Sequence, residues 1–128
     1  MDKKIILTAL LFGIVSIVLG AFGAHALKKI LSVDQLSSFE VGVKYLIYHA
    51  FFLFFIGTTI MLEDKQKKIV VYFTLLGIVL FSGSIFLLTT KSVSGIDFKW
   101  LGPITPVGGL FLIMSWGITF YYIVVKKG

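Results

Sequence analysis

The chain has 128 residues, of which 58% are hydrophobic and 14% are charged, and its mean hydropathy is +1.02. A soluble domain carries about 25% charged residues, so this composition excludes an ordinary water-soluble domain, and the absence of cysteine excludes disulfides, thiolate nucleophiles and cysteine-ligated metals. The formal charge of +6 comes from lysines that flank apolar runs, so we expect anchoring at membrane interfaces and no nucleic-acid partner.

Four apolar runs are each close to the ~20 residues that a helix needs to cross the bilayer core. None of the runs contains an acidic residue, and together they leave no separate soluble domain. We therefore predict an all-α polytopic membrane protein, in which four transmembrane helices form a bundle and residues 1–128 form a single domain. The predicted spans cover residues 5–27, 45–62, 69–90 and 107–125.

The first run ends in LGAFGAHALKK at residues 19–29, which has features of a secretory signal peptide. The basic start, the apolar stretch and the triplet Ala24-His25-Ala26 fit a cleavage site of the A-x-A type. However, the apolar stretch is long for a signal peptide, and three further spans make a cleavable signal unnecessary. We therefore expect a spanning helix, with a stripe of small residues that lets another helix approach closely. The stripe comprises Ser16, Gly20 and Ala24, which are spaced four apart, and Gly13 and Gly23 lie near the same face.

The connection at residues 28–44 contains a helix signal of its own. Ser32 and Gln35 fit a capping box, and apolar residues then recur at steps of three and four. We predict a short amphipathic helix that lies at the membrane interface and bends near Gly42 into the second span. A single helix from Ser32 to Leu62 is the alternative.

Polar residues and glycines concentrate in one half of the predicted bundle. With four spans, both termini and the connection at 63–68 share one side, here called the inner side, and the polar groups fall in the opposite, outer half. The sequence leaves open whether this outer polar cluster is a hydrogen-bonded structural network or a ligand site. Its predicted members are His25, Lys44, Tyr45, Tyr48, His49, Ser82, Ser84 and Thr105, with Gly108 and Gly109 as packing residues at the start of the fourth span.

Individual members of the outer polar cluster have specific expected roles. His49 lies about one turn inside its apolar run and needs a polar partner there, for which we expect His25 across the seam of spans one and two. Glu40 should position Lys44, since the two lie four residues apart in the favourable order. Thr105 is predicted as the N-cap of the fourth span, whose N-terminus would favour an anion.

Lysine counts predict the orientation of the bundle. The inner side carries seven lysines and the outer side five. Because cytoplasmic connections carry an excess of lysine and arginine, we expect a multi-pass protein of the cytoplasmic membrane of a bacterium, with both termini in the cytoplasm.

Four short segments in chain order resemble the small membrane proteins called domain of unknown function 423, whose eukaryotic relatives are called transmembrane protein 256. The segments are GAFGAHALKK at 20–29, GVKYLIYHA at 42–50, FSGSIF at 81–86 and GPITPVGGL at 102–110, with Trp116 beyond them. The resemblance implies a four-helix multi-pass protein and brings no catalytic residues, because the family has no settled activity.

Several functions remain open from the sequence. The first is a binding or accessory membrane protein, whose outer polar cluster holds an anionic lipid headgroup or a membrane protein partner, with a homo-oligomer as a further option. A small transporter or channel is the second, although no span carries a carboxylate to cycle protons. The third is a redox or metal protein that uses His25 and His49 as ligands. We expect no cofactor, no metal and no enzymatic activity, since no catalytic motif is found.

Overall fold

The computed structural model describes residues 2–127, and the two ends of the predicted domain, Met1 and Gly128, lie outside the described part. Four helical segments in it are long and apolar enough to cross a membrane, which confirms the all-α, four-span architecture. The first, second and fourth spanning helices are α1 (Asp2–His25), α2 (Val33–Thr58) and α6 (Ile104–Val124). The third spanning helix consists of α3 (Asp64–Ile78), a π-helical turn (Val79–Gly83) and α4 (Ser84–Thr89). Two 3₁₀ turns (Leu27–Lys29, Lys99–Leu101) and the short α5 (Lys91–Ser94) lie in the two longer connections.

The predicted interfacial helix is not a separate element, and the single-helix alternative is the correct one. Ser32 caps α2, since its hydroxyl accepts from the backbone N–H of Gln35 and the Gln35 side chain accepts from the Ser32 N–H. The helix then runs without a break to Thr58. It does not bend at Gly42 because a glycine inside a helix costs only about 1 kcal/mol, and here the side chains of Ile85 and Phe86 pack against it.

Helices α1 and α2 form an antiparallel hairpin that packs through glycines. A Cβ atom at Gly23 would lie 3.0 Å from the Phe39 ring, and one at Gly20 would lie 3.6 Å from Val43. At the inner end a Cβ atom at Gly57 would lie 2.8 Å from Ile6. The contacts therefore set the register of the hairpin along its whole length. Ser16 is also buried, and its hydroxyl donates to the carbonyl of Phe12, whereas Ala24 is exposed.

Close backbone approach also joins the third spanning helix to α6. A Cβ atom at Gly77 would lie 2.6 Å from the Leu112 side chain, and one at Gly108 would overlap the backbone of Leu80 and Phe81. Gly108 thus faces the π-helical turn, where an extra residue in the helix widens it locally. This turn directs Ser82 towards α2, where its hydroxyl donates to the carbonyl of Gly42 at 2.9 Å.

An ion pair between a buried ammonium and a half-exposed carboxylate ties the start of α1 to α3 at the inner end. The ammonium of Lys67 lies 3.1 Å from a carboxylate oxygen of Asp2, and the Lys67 side chain is 4% exposed. A buried ammonium is costly without its partner, so this pair stabilises the position of the N-terminal turn. No sequence pattern predicts this pair, because the two residues are far apart in the chain and Lys67 lies between the exposed Lys65 and Lys68.

The register of the hairpin places His25 and His49 far apart, so the expected pairing of the two histidines is wrong. His25 lies two residues beyond Gly23, which contacts Phe39, and His49 lies ten residues further along α2 than Phe39. At about 1.5 Å per residue this separates their levels by more than ~15 Å. The expectation fails because hydropathy marks the start of the apolar run at Tyr45, whereas α2 begins at Val33.

This register predicts which engineered disulfides form in a chain that has no native cysteine. Gly20→Cys with Val43→Cys should cross-link under mild oxidation, since the two positions are in contact and a disulfide needs Cα atoms within about 7 Å. His25→Cys with His49→Cys should remain reduced. Non-reducing gel mobility of both double variants in membranes gives the answer, and a disulfide between positions 25 and 49 would contradict the register.

Candidate functional site

His49 is the one histidine within the apolar part of α2, and it lies near the middle of the bundle. The contacts of Gly20 with Val43 and of Gly57 with Ile6 put His49 level with Ile14, the middle of the 24-residue helix α1. The residue is 4% exposed. Its depth is therefore greater than the sequence suggested, and an ionisable residue at such a depth is a marker of function or of an important polar contact.

Both ring nitrogens of His49 are hydrogen-bonded. Its Nδ1 lies 2.7 Å from the carbonyl oxygen of Tyr45, one turn earlier in α2, and its Nε2 lies 2.9 Å from the indole Nε1 of Trp116 on α6. An indole N–H can only donate and a carbonyl can only accept. The network therefore assigns a neutral imidazole that donates from Nδ1 and accepts at Nε2.

Aromatic rings surround this hydrogen bond on both helices. Trp116 stacks on Phe52 with ring centroids 4.4 Å apart, and it meets the His49 ring edge-on at 5.9 Å. On the other side Tyr45 packs against Phe81 of the π-helical turn at 4.9 Å. His49 and Phe52 are three residues apart and so share one face of α2. The Trp116 indole can therefore donate a hydrogen bond to the imidazole and stack on Phe52 at the same time.

Beside the His49–Trp116 hydrogen bond, an open groove of about 710 Å³ lies between α2 and α6 on the surface of the bundle. Its walls are almost wholly apolar because the polar side chains of α6 bond to their own helix: Ser115 donates to the carbonyl of Leu112, and Thr119 to that of Ser115. We call it the α2–α6 groove. It is lined by Tyr48, Phe51, Phe52, Phe55, Ile113, Trp116, Gly117, Thr119, Phe120 and Ile123.

The α2–α6 groove extends from mid-depth to the inner end of the bundle. Ile113 and Ile123 mark its extremes on α6, which at about 1.5 Å per residue are ~15 Å apart. This is half of the ~30 Å hydrocarbon core. A smaller groove of about 420 Å³ lies between α1 and α2 around Gly13 and Ala50, in the middle of both helices. The α2–α6 groove thus has about the length of one leaflet and an end near the inner surface.

The predicted members of the outer polar cluster do not form one site. His25 is exposed beside Lys28 and Lys29 at the outer end, and Lys44 is exposed on α2. Ser84 bonds to Thr105 at 2.6 Å, which joins α4 to α6. The hydroxyls of Ser82 and Ser84 therefore serve helix contacts, and of the predicted members only Tyr45, Tyr48 and His49 lie together around the His49–Trp116 hydrogen bond.

Two local predictions at the outer side are corrected. Helix α6 begins at Ile104 with Pro103 at its N-cap and no capping side chain, so Thr105 is not the cap. The hydroxyl of Thr105 is instead hydrogen-bonded to the hydroxyl of Ser84. Pro106 is tolerated in the first turn because an N–H at that position would have no helical partner. Glu40 and Lys44 are both exposed, and no ion pair within 4 Å joins them in the described residues.

Trp116 is the functional residue that sequence reasoning missed, apart from its place in the family resemblance. It is 51% exposed at mid-depth, whereas tryptophan in membrane proteins concentrates at the two interfaces. Its position in the middle of the apolar run ITPVGGLFLIMSWGITFYYIV was a usable signal. An indole N–H in hydrocarbon needs a hydrogen-bond acceptor, and His49 is the only intramembrane imidazole that could supply one.

A metal or haem site is not favoured by this geometry. Within residues 2–127 no group of three or more histidine, cysteine or acidic side chains could hold a metal ion. Both nitrogens of His49 are already engaged, and His25 lies at the exposed outer end. A shared metal would require breaking the contact with Trp116 and moving the ends of two helices.

Comparisons with known proteins agree on a family. A family model described as "Protein of unknown function (DUF423)" matches residues 19–109. The chain is 36% identical over 119 residues to the UPF0382 membrane protein YwdK of Bacillus subtilis, covering 89% of this chain and 90% of the relative. It is 31% identical to a UPF0382 membrane protein of Haemophilus influenzae, covering 91% of this chain and 90% of the relative.

A third relative is the UPF0382 inner membrane protein YgdD of Escherichia coli, which is 29% identical over 123 residues, covering 91% of this chain and 86% of the relative. No solved structure matches the chain. The family match spans most of the residues that form α1–α4 and their connections, together with the start of α6. This chain therefore belongs to the DUF423 family of membrane proteins, whose function is unknown.

Proposed function

We propose that this chain is a non-enzymatic binding protein of the cytoplasmic membrane, whose α2–α6 groove holds one hydrocarbon chain of a membrane lipid. The observation that carries the proposal is the groove itself, which lies beside the hydrogen bond that joins α2 to α6 between His49 and Trp116. Between the levels of Ile113 and Ile123 on α6 the groove is ~15 Å long, about the half-thickness of the hydrocarbon core.

The walls of the groove suit a flexible apolar chain. Small-molecule sites are concave, mostly apolar and built largely from aromatic and aliphatic side chains. Phe52 and Phe55 on α2 face Ile113 and Phe120 on α6 across the opening. Gly117 lies between them with nothing within 4 Å of the position its Cβ would take, so the space at the floor is unfilled. Such a surface offers a lipid chain more contacts than a flat helix face does.

The other two functions considered from the sequence receive less support. A proton-coupled transporter needs an ionisable group that changes its charge within the spans, and His49 is instead held neutral between two hydrogen bonds. A redox or metal protein needs a free imidazole nitrogen, and His49 has none. An accessory role beside a protein partner remains compatible with lipid binding, since a bound lipid often forms part of such an interface.

Labelling with a photoactivatable lipid tests the proposed function. In bilayers that contain phosphatidylcholine with a diazirine at mid-chain, Ile113 and Phe120 should be labelled several-fold more than Leu11 and Val18, because a chain held in the groove stays in contact. The two pairs are comparably exposed, at 68% and 73% against 57% and 57%. Mass spectrometry of the labelled protein gives the ratio.

Filling the groove should remove this preference. Gly117→Leu places a side chain in the open space of the groove, whereas the matched control Gly13→Leu places one in the smaller groove between α1 and α2. The first change should lower the labelling ratio to about one, and the second should leave it unchanged. Equal labelling of the two pairs in the unmodified protein would refute the proposal.

We also propose that both termini face the cytoplasm. The lysine excess on the inner side supports this orientation, and the Escherichia coli relative is named an inner membrane protein. Asp64→Cys and Ser94→Cys place thiols at exposed positions on opposite sides of the bundle. Loss of the Asp64 carboxylate should not itself change the orientation, because carboxylates contribute little to it. An impermeant thiol reagent should label Ser94→Cys in whole cells and Asp64→Cys only after lysis; the reverse pattern would show the opposite orientation.

A further inference from the structure

We infer that the lipid in the α2–α6 groove is an anionic phospholipid of the inner leaflet, whose phosphate lies at Lys126 and Lys127. This inference rests on the proposed function and adds to it the charge of the headgroup, the leaflet and the residues that select both. It follows from the charged residues near the inner end of the groove.

A small polar pocket lies at the inner end of α6, near the end of the groove but with no lining residue in common with it. Its volume is about 330 Å³, and Met61, Tyr122 and Val125 share its lining with Lys126 and Lys127. Ile123 is the last groove residue on α6, and Lys126 and Lys127 follow it by three and four positions. The backbone N–H of Lys126 donates to the carbonyl of Ile123 at 3.2 Å. The lysines therefore follow the groove within a single helical turn, at the level where a headgroup of a lipid in the groove would lie.

The charges around this pocket favour an anion. The inner side carries seven lysines against three carboxylates. The buried Lys67 is compensated by Asp2, and Glu63 is the carboxylate that shares the pocket. Within residues 2–127, neither Lys126 nor Lys127 forms an ion pair with a carboxylate within 4 Å. Two exposed ammonium groups are thus available to a phosphate, and each lysine near an anionic surface adds about 1 kcal/mol of attraction, roughly a fivefold preference.

Other basic surfaces fit the same lipid less well. His25, Lys28 and Lys29 surround an exposed pocket at the outer end, but the register of the hairpin puts it more than ~15 Å from the level of His49. The α2–α6 groove extends mainly in the other direction from His49. The smaller groove between α1 and α2 has no lysine in its lining. An inner pocket between α1 and α3 carries Lys4 and Lys68, but its volume of about 360 Å³ is half that of the α2–α6 groove.

The test compares two photoactivatable lipids that have the same diazirine chain, phosphatidylglycerol and phosphatidylcholine, in the full-length protein. Groove labelling at Ile113 and Phe120 is measured relative to Leu11 and Val18, which serve as the internal reference. Phosphatidylglycerol should give a ratio at least about fivefold higher. Lys126→Gln with Lys127→Gln should remove this difference, and the matched control Lys28→Gln with Lys29→Gln should keep it.

The outcomes separate this inference from the proposed function. If both lipids label the groove equally and Gly117→Leu still abolishes that labelling, the groove binds a chain and the headgroup assignment is wrong. If the difference is lost in the Lys28 and Lys29 variant and kept in the Lys126 and Lys127 variant, the headgroup lies on the outer side and the inference is overturned. If neither lipid labels the groove above the reference while a protein cross-links there, the occupant is a partner helix and both proposals fail.

Discussion

The hydrogen bond from the Trp116 indole to His49 is the contact on which the rest of the arrangement depends. It satisfies two polar groups that would each be costly alone in hydrocarbon, and it joins α2 to α6 at mid-depth. Trp116 also lines the α2–α6 groove, so the same bond holds one wall of the groove against α2.

Close packing elsewhere holds the two helices that carry this bond. Gly57, Gly20 and Gly23 fix α1 against α2, and Gly77 and Gly108 fix α6 against the third spanning helix. Membrane helices gain little from burying apolar surface against one another, so close approach at small residues and satisfied hydroxyls supplies much of their cohesion. Ser82 and Ser84 add such contacts on either side of the π-helical turn. With both helix pairs held, the groove between α2 and α6 becomes a fixed feature of the surface.

The four spanning helices, the capping box at Ser32 and the family are predicted correctly from the sequence, because these depend on composition and local spacing. Prediction fails where tertiary contacts decide. The depth of His49 was misjudged because hydropathy marks where an apolar run begins and not where the helix begins, and α2 starts twelve residues before Tyr45. The partner of His49 lies on α6, and no local pattern identifies it. The Asp2–Lys67 pair and the groove were likewise invisible, since both arise from residues far apart in the chain.

The protonation state of His49 tests the account most directly. The chain has two histidines, so His25→Gln leaves His49 as the sole source of imidazole signals in ¹⁵N-histidine-labelled protein in lipid nanodiscs. The account predicts a neutral ring with the proton on Nδ1 and a bare Nε2 whose nitrogen resonance shifts in Trp116→Phe, as the indole donor is lost. An Nε2-protonated or doubly protonated ring, or an Nε2 resonance indifferent to Trp116→Phe, would contradict it.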